Sequence, residues 1–275
     1  MNTASKPTQS VGVIGAGRMG TPIIGHLARK GFATMACDVN AAREQHVTAL
    51  GARWVAQAAD LAQSDVVLVC VGFDAEVRAL FGEGGALAAA RPGSIVAILS
   101  TIHPDTVRAL AETAAPRGVR VVDSTVCRGG DAADRGTLLS FVGGDEDVVA
   151  RLTPVLRAYS SDVVHTGGVG TAQVAKAVNN LILWACLVAD HEALALARHQ
   201  GVDIEALRKA LMISSCANGP LEKWGTQTMA WAEDDMAIVA EMASQAGIGL
   251  PQAAVTREIC RTLKPKRYQL EKYGR

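Results

Sequence analysis

The segment Val11-Gly-Val-Ile-Gly15-Ala-Gly17-Arg-Met-Gly20 decides the fold of the first half of this chain. An apolar run leads into a G-x-G-x-x-G pattern, and a helix-forming stretch follows over residues 22–30. In such a strand–turn–helix unit the first glycine makes the turn, the second lets the backbone approach a pyrophosphate, and the third allows close packing of helix on strand. The segment therefore predicts a β–α unit that binds a dinucleotide. The alternative is an ordinary glycine turn in a flavodoxin-like fold.

The next apolar run ends in Asp38, whose carboxylate can accept hydrogen bonds from both hydroxyls of an adenosine ribose. The same charge would repel a 2′-phosphate, so we expect NAD rather than NADP, although Arg43 lies close enough in sequence to receive a phosphate. The residues expected to contact the cofactor are Gly15, Ala16, Gly17, Arg18, Met19, Gly20 and Asp38, together with Val71 and Thr101 at the ends of later strands.

Short β-branched runs alternate with helix-forming stretches before residue 168, which predicts a Rossmann-type, doubly wound and mostly parallel sheet. The strands are expected at residues 10–14, 33–38, 66–71, 95–99, 119–123, 138–142 and 163–165. No convincing strand follows the glycine cluster at residues 167–170. We therefore predict a dinucleotide-binding domain over residues 1–168 and an all-α domain over residues 169–275. The second domain should begin with one long helix from Thr171 to about His199, buried on every side because residues 181–189 are all apolar.

Charge and composition exclude several classes of partner. The chain has 27 basic and 27 acidic side chains, whereas a nucleic-acid-binding surface or a polybasic membrane anchor would need a basic excess. Charged residues make up 20% of the chain and hydrophobic residues 49%, which predicts extra buried surface of the kind found between subunits. We expect a homodimer or homotetramer that binds neither nucleic acid nor membranes.

The six cysteines form no C-x-x-C pair and have no histidine at a zinc-binding spacing. The polar start of the chain carries no secretory signal, so reduced thiols, no metal site and a cytoplasmic location are expected. The apolar run at residues 181–189 is also far shorter than the roughly 20 residues of a membrane span.

Five segments, in the same order, are similar to those of the β-hydroxyacid dehydrogenase family, which includes 3-hydroxyisobutyrate dehydrogenases and tartronate semialdehyde reductases. They lie at residues 15–20, 100–104, 123–138, 170–180 and 192–201. The third resembles the family's D-A-P-V-S-G-G substrate segment, and the fourth its G-x-G-x-x-x-K-x-x-N-N helix. The resemblance covers most of the chain and implies the fold described above.

Lys176 falls within an otherwise apolar helix, where an unpaired ammonium group is costly to bury. Asn180 lies four residues later, on the same helical face. A desolvated lysine has a lowered pKa, and interconverting an alcohol and a carbonyl requires one proton transfer. The resemblance implies that Lys176 is the general acid/base and Asn180 its hydrogen-bonding partner. The alternative is a helix-surface lysine beside a capping asparagine pair.

The substrate segment departs from the family pattern, because Cys127 replaces a serine and Arg128 a glycine. The resemblance implies that Cys127, Arg128 and Gly129 bind the anionic group of the substrate. A guanidinium suits a carboxylate, sulfonate or phosphate, and an arginine here resembles the 3-sulfolactaldehyde reductases of the family. Alternatively, Arg128 points to solvent or to a partner subunit. The chain departs from the family pattern at two further positions. Ala172 replaces a glycine, and Asp234 replaces a lysine that, in the family, reaches toward the cofactor.

We therefore expect an NAD-dependent oxidoreductase that interconverts a small 3-hydroxy acid, or a similar anionic alcohol, and its semialdehyde or ketone. One alternative is an imine reductase-like NAD(P)H enzyme, although those enzymes usually replace the catalytic lysine. Another is a non-catalytic dinucleotide-binding sensor or scaffold, which the changes at residues 127, 128 and 234 would permit.

Overall fold

The computed structural model describes residues 9–273, which form two compact units that divide between Lys176 and Ala177. Residues 1–8, where the sequence predicts no secretory signal, lie outside the described residues. The division falls within the long helix, because the first residues of that helix bond to Asp123 and Thr125 of the first unit. The proposed domain boundary between residues 168 and 169 stays a prediction.

The first unit contains one mixed sheet of nine strands in the order β3-β2-β1-β4-β5-β6-β8-β7, with β9 paired to β8. Strands β1 to β6 are parallel, β8 runs antiparallel to β6 and β7, and β9 is parallel to β8. The mostly parallel Rossmann-type sheet is therefore confirmed. The strands are β1 (Ser10–Ile14), β2 (Ala33–Cys37), β3 (Arg53–Trp54), β4 (Val66–Val69), β5 (Ile95–Ile98), β6 (Arg120–Asp123), β7 (Val126–Cys127), β8 (Leu138–Gly143) and β9 (Ser160–Gly167).

Every predicted strand is present, and two short strands, β3 and β7, were not predicted. Each has two residues, too few to show an alternating or continuous apolar pattern. The helices of the first unit are α1 (Gly20–Arg29), α2 (Glu44–Ala49), α3 (Asp74–Phe81), α4 (Pro104–Ala114), α5 (Gly129–Arg135) and α6 (Glu146–Leu156).

The central strands are buried on both faces of the sheet. Successive residues of a strand point to opposite faces, and accordingly Val66 and Leu68 of β4 belong to one apolar cluster while Val67 and Val69 belong to another. The same alternation separates the residues of β5. This double burial explains the unbroken apolar runs of the sequence, which are typical of parallel strands.

The second unit is entirely helical within the described residues. The long helix α7 (Thr171–His199) begins in the first unit, and α8 (Ile204–Leu211), α9 (Gly219–Glu222), α10 (Ala232–Ala246) and α11 (Pro251–Leu263) follow it. The predicted extent of the long helix is confirmed. Gly201, with a φ of 79°, lies in the left-handed region just beyond the end of α7, as expected of a glycine that ends a helix.

The prediction that α7 is buried on every side is wrong. One side packs against α10 and α11 through Trp184, Leu187 and Val188, but Ile182 is 59% exposed. Residues 181–189 are apolar around the whole helix, while α10 and α11 cover only one side of it. By length and composition α7 could cross a membrane, a test that core helices of soluble proteins also pass.

His191 of α7 fixes the C-terminal segment of the second unit. Its Nδ1 lies 2.7 Å from the Leu187 carbonyl oxygen, and its Nε2 accepts a hydrogen bond from the Tyr268 backbone N–H at 3.0 Å. The ring also contacts Trp224 and Tyr268. Burial lowers the pKa of His191, although the bond to Leu187 opposes that shift. Only the neutral ring can accept from Tyr268, so protonation removes this bond.

The wild-type protein should therefore lose stability on acidification more steeply than the His191→Gln variant. Because the folded-state pKa of His191 is lowered, its contribution is fully present above the unfolded pKa of about 6.5 and is lost as the pH falls through the folded pKa. The lost bond is worth about 1 kcal/mol. Thermal unfolding between pH 7.5 and 5.0 measures the difference, with His199→Gln, an exposed position at the end of the same helix, as the control. An equal fall in Tm between pH 7.5 and 5.0 for the wild type and His191→Gln would refute this role.

Candidate active site

The turn between β1 and α1 has the geometry that dinucleotide binding requires. Gly15 has a φ of 100°, and a Cβ there would collide with the Cys70 carbonyl. A Cβ at Gly20 would collide with the carbonyl of Gly15, whereas no atom lies within 4 Å of the Cβ position at Gly17. The first and third glycines thus allow tight packing, and the second faces open space at the start of α1. Backbone N–H groups in the first turn of a helix lack intrahelical partners and attract phosphate.

Asp38 holds this turn from the end of β2. Its Oδ2 accepts the Ala16 N–H at 2.7 Å, and its Oδ1 accepts the Asn40 N–H at 2.8 Å. Each carboxylate oxygen has a second lone pair, so the group can still accept from ribose hydroxyls. The ribose contact stays a prediction, and the bond to Ala16 is an additional role that the sequence did not indicate.

Arg18 joins the glycine turn to α5. Its guanidinium donates to both oxygens of Asp134, at 2.8 and 2.7 Å, and a Cβ at Gly130 would collide with it. The side chain therefore lies across the first turn of α5, immediately after the predicted substrate loop at residues 127–129. Its contact with the cofactor stays a prediction.

The ends of β4 and β5 are joined by the side chain of Ser100. Its Oγ accepts the Val71 N–H at 3.0 Å and donates to the Val71 carbonyl at 2.9 Å. Thr101 follows directly. Val71 and Thr101 thus lie at the carboxyl ends of neighbouring parallel strands, which is the edge where open α/β sheets bind their ligands.

Asp123 fixes the start of α7. It is fully buried at the end of β6, and its two oxygens accept the Gly170 and Gln173 N–H groups at 2.8 and 2.9 Å. Thr125 Oγ1 donates to the Ala172 carbonyl at 3.0 Å. Burial raises the pKa of the Asp123 carboxyl group, and the N–H groups of the helix start oppose that shift. A carboxylate at a helix N-terminus is favoured by both the free N–H groups and the helix dipole.

Lys176 lies one turn further along α7, and its ammonium group reaches the predicted substrate loop. Its Nζ donates to the Val126 carbonyl at 2.8 Å and lies 3.9 Å from Cys127 Sγ. The residue is half-buried and Cys127 is buried. The fold therefore brings together two residues that are 49 positions apart in sequence and that were both predicted to act at the site.

Two other predicted residues have partners of their own. Asn180 is buried, and its Oδ1 accepts a hydrogen bond from Asn179 Nδ2 at 3.0 Å. Arg128 has a φ of 85°, in the left-handed region, and its guanidinium donates to Ser161 at 2.8 Å and Asp162 at 2.7 Å. Arg128 is thus paired with β9, and binding a substrate anion would require it to leave or share Asp162. Both substrate roles stay predictions.

Sequence reasoning assigned no role to four polar residues that support the site, although all of them lie in the segments that resemble the family, namely Ser100, Asp123, Asp134 and Gln173. Asp123 and Ser100 each stand directly at or after the end of an apolar strand, which is a signal that could have identified them. Nothing in the sequence pairs Asp134 with Arg18, which lies 116 residues away. Within residues 9–273, no group of three His, Cys, Asp or Glu side chains could hold a metal ion.

Comparison with known proteins agrees with this geometry. Residues 10–168 match the NAD-binding domain of 6-phosphogluconate dehydrogenase, and residues 170–271 match a domain described as the NAD-binding domain of NADP-dependent 3-hydroxyisobutyrate dehydrogenase. The chain is 32% identical to the NAD-dependent L-serine dehydrogenase of Pseudomonas aeruginosa, over 78% of this chain and 72% of that protein. It is 27% identical to the 3-sulfolactaldehyde reductase of Escherichia coli, over 91% of this chain and 88% of that protein.

Among solved structures, a 3-hydroxyisobutyrate dehydrogenase of Mycobacterium tuberculosis, determined with L-serine, matches with a TM-score of 0.85 and 24% identity. The match covers 94% of this chain and 95% of that one, and it supports the fold. The two domain matches together span nearly all of the described residues. The first domain is therefore of a dinucleotide-binding type, and the relatives are oxidoreductases that act on CH–OH groups. The chain belongs to the β-hydroxyacid dehydrogenase family.

Proposed function

We propose that the protein is an NAD-dependent oxidoreductase that interconverts a small 3-hydroxy acid and its semialdehyde or ketone, with Lys176 as the general acid/base. The observation that carries this proposal is the position of Lys176 Nζ, 2.8 Å from the Val126 carbonyl and beside Cys127. A half-buried ammonium held at the predicted substrate loop can reach the oxygen of a bound substrate.

The chemistry divides between the cofactor and the chain. When bound, the nicotinamide cofactor would supply the hydride to the substrate carbon in its reduced form, NADH, and would accept it in its oxidised form, NAD⁺. Lys176 would give a proton to the developing alkoxide in the reductive direction and, as the neutral amine, take it back in the oxidative direction. The Val126 carbonyl orients Nζ by accepting a hydrogen bond from it, and Cys127 Sγ lies 3.9 Å away, which leaves at least one N–H of the ammonium for substrate.

NAD is favoured over NADP by Asp38. Its carboxylate stands at the end of β2, where it would repel a 2′-phosphate, and it is itself held in place by the Ala16 and Asn40 N–H groups. The serine dehydrogenase relative is also named as NAD-dependent. The domain match to an NADP-dependent enzyme keeps NADP as the competing cofactor.

The substrate class is a small molecule with one anionic group. The loop at residues 127–129 would bind that group through the Gly129 backbone and the Arg128 guanidinium, once the latter shares or releases Asp162. The named relatives act on serine and on 3-sulfolactaldehyde, so the carboxylate and the sulfonate are the two anions to compare first.

We also propose that the protein is a homodimer or homotetramer. Val178, Ile182 and Leu196 of α7 are 50%, 59% and 65% exposed, and their helical spacing places them along one side of the helix. Exposed apolar side chains repeated along one side of a helix are typical of an interface between subunits, and the exposed Glu192 is the charged residue among them. We place the enzyme in the cytoplasm, since all six cysteines are free thiols.

Replacing Lys176 with Ala should lower kcat by about 10²–10⁴-fold, because the proton transfer loses its acid/base. Binding of NADH, measured by its fluorescence, should change little. Turnover is measured with NAD and a panel of hydroxy acids, and Lys209→Ala, an exposed lysine of α8, is the control. NADH binding without turnover in the wild type would instead favour the non-catalytic sensor, and an unchanged kcat in Lys176→Ala would remove the lysine from the mechanism.

Replacing Arg128 with Gly should raise KM for the anionic substrate by about 10-fold or more, because a charge-assisted hydrogen bond worth about 1.5–3 kcal/mol is lost. Stability should stay level or rise, since glycine relieves a left-handed conformation that costs about 1–2 kcal/mol, whereas an exposed ion pair contributes at most about 1 kcal/mol. The matched variant Asp162→Asn removes the charge that pairs with the guanidinium, while its bonds to Ser161 and the Thr137 carbonyl can remain, and it should not raise KM. If KM is unaltered in Arg128→Gly for both carboxylate and sulfonate substrates, Arg128 does not bind the substrate and only forms the surface ion pair with Asp162.

Replacing Ile182 with Glu should shift the protein toward a smaller assembly. The new carboxylate would be buried without a partner at the proposed subunit interface, which is strongly unfavourable. Light scattering at micromolar concentration measures the mass, and Ile213→Glu, at another exposed apolar position, is the control. A monomeric mass for the wild-type protein would contradict the proposed assembly.

A further inference from the structure

The side-chain amide of Gln173 connects the start of α7, which carries Lys176, to the end of β5, where a cofactor contact is predicted. Its Oε1 accepts the Ile102 N–H at 3.0 Å, and its Nε2 donates to the Ser100 carbonyl at 2.8 Å. Both backbone groups adjoin Thr101, at the carboxyl end of β5. The side chain is 1% exposed, so these bonds do not compete with bulk water. The buried Gln173 amide thus fixes the backbone on both sides of Thr101, which is a predicted cofactor contact.

Ser100 extends this set of hydrogen bonds from the end of β5 to the end of β4. Ser100, which is 5% exposed, uses its Oγ to accept the Val71 N–H and to donate to the Val71 carbonyl. Val71 is the second predicted cofactor contact. The ends of β4 and β5 are therefore joined to each other by Ser100, and both are joined to α7 by Gln173.

The other end of this connection is the helix that carries the general acid/base. The Gln173 N–H donates to Asp123, so the position of residue 173 is fixed by the end of β6. Lys176 follows three residues later on the same helix, and its Nζ lies at the Val126 carbonyl. Any displacement of the Thr101 backbone relative to α7 would have to break the two bonds of the Gln173 amide.

We infer that Gln173 is a positioning residue that holds the dinucleotide-binding ends of β4 and β5 at a fixed distance from Lys176, with Ser100 carrying the effect to Val71. This inference rests on the proposed function for the role of Lys176, and on the dinucleotide-binding fold for the rest. A small misplacement of reacting groups costs large factors in rate, so this connection should influence both cofactor affinity and kcat.

The neutral amide is essential to this arrangement, because one end accepts and the other donates. In Gln173→Glu the carboxylate can still accept from Ile102, but it cannot donate to the Ser100 carbonyl until it is protonated. Burial raises the pKa of a carboxyl group, so this protonation falls within a usable pH range. Gln173→Met has nearly the same shape and makes neither bond at any pH.

The experiment measures the NADH dissociation constant by fluorescence between pH 8.5 and 6.0, without substrate, for the wild type and three variants. Gln173→Met should bind NADH at least 10-fold more weakly at every pH. Ser100→Ala should also bind more weakly, with no recovery. Gln173→Glu should bind NADH more weakly than the wild type at pH 8.5 and recover at least threefold toward the wild type at pH 6.0. The titratable groups on the joined segments, Asp123, His103 and Lys176, are common to all four proteins, and Gln173→Met, which adds no charge, reports their own effect on the pH dependence.

Gln63→Glu is the matched control, because Gln63 is an exposed glutamine whose Nε2 also donates to a backbone carbonyl, that of Ala89. It should bind NADH like the wild type at every pH. Where an active substrate is in hand, Gln173→Glu should show the same acid recovery in kcat.

Wild-type NADH affinity in Gln173→Met, or a pH-independent ratio for Gln173→Glu, would overturn the inference. Should Gln173→Met fail to fold by circular dichroism, the pH series of Gln173→Glu and the affinity of Ser100→Ala decide the matter in its place. Absence of turnover in the wild type would refute the proposed function alone, since the binding measurement is made without substrate.

Discussion

The buried carboxylate of Asp123 is the constraint on which the rest of the site depends. It stands at the end of β6 with no exposure to solvent, and its two oxygens accept the N–H groups of Gly170 and Gln173 at the start of α7. The position of the first turn of α7 is thereby set by one strand of the sheet. Because β6 lies in the same sheet as β1 and β4, the start of α7, which carries Lys176, is held by the sheet whose strand β1 leads into the glycine turn. Burying a charge is costly unless it is compensated, and the free N–H groups of the helix start provide that compensation.

Further polar contacts tie each part of the site to a neighbouring part rather than to solvent. Asp38 joins the end of β2 to the glycine turn, Arg18 joins that turn to α5, and Ser100 joins β5 to β4. Lys176 completes this set by bonding to the Val126 carbonyl beside the predicted substrate loop. Such contacts hold backbone segments at fixed separations, and a hydride transfer needs that precision because the reacting atoms must approach closely. The left-handed conformation of Arg128 is a local cost within this arrangement, at a position where the family pattern has glycine.

The parts of the structure that the sequence predicts are those with local causes. The glycine pattern, the apolar strands and the 29-residue helix all follow from residue types within a short window, and each is confirmed. Strands β3 and β7 escaped prediction because two residues carry no periodicity. The exposure of Ile182 could not be predicted either, since an apolar residue at the surface of one chain looks the same in sequence as one in its core. The direction of the Arg128 side chain depends on Asp162, which lies on a distant strand, and the bonds of Gln173 span more than 70 residues.

The most direct test of the account is a crystal structure with NAD and an unreactive analogue of a 3-hydroxy acid. We expect Lys176 Nζ within about 3 Å of the analogue's hydroxyl oxygen, with Asp123 still bonded to the start of α7 and the anionic group of the analogue at residues 127–129. An ammonium group turned away from the ligand, or an analogue bound elsewhere than beside Val126 and Cys127, would contradict the assignment of Lys176 and leave only a dinucleotide-binding fold.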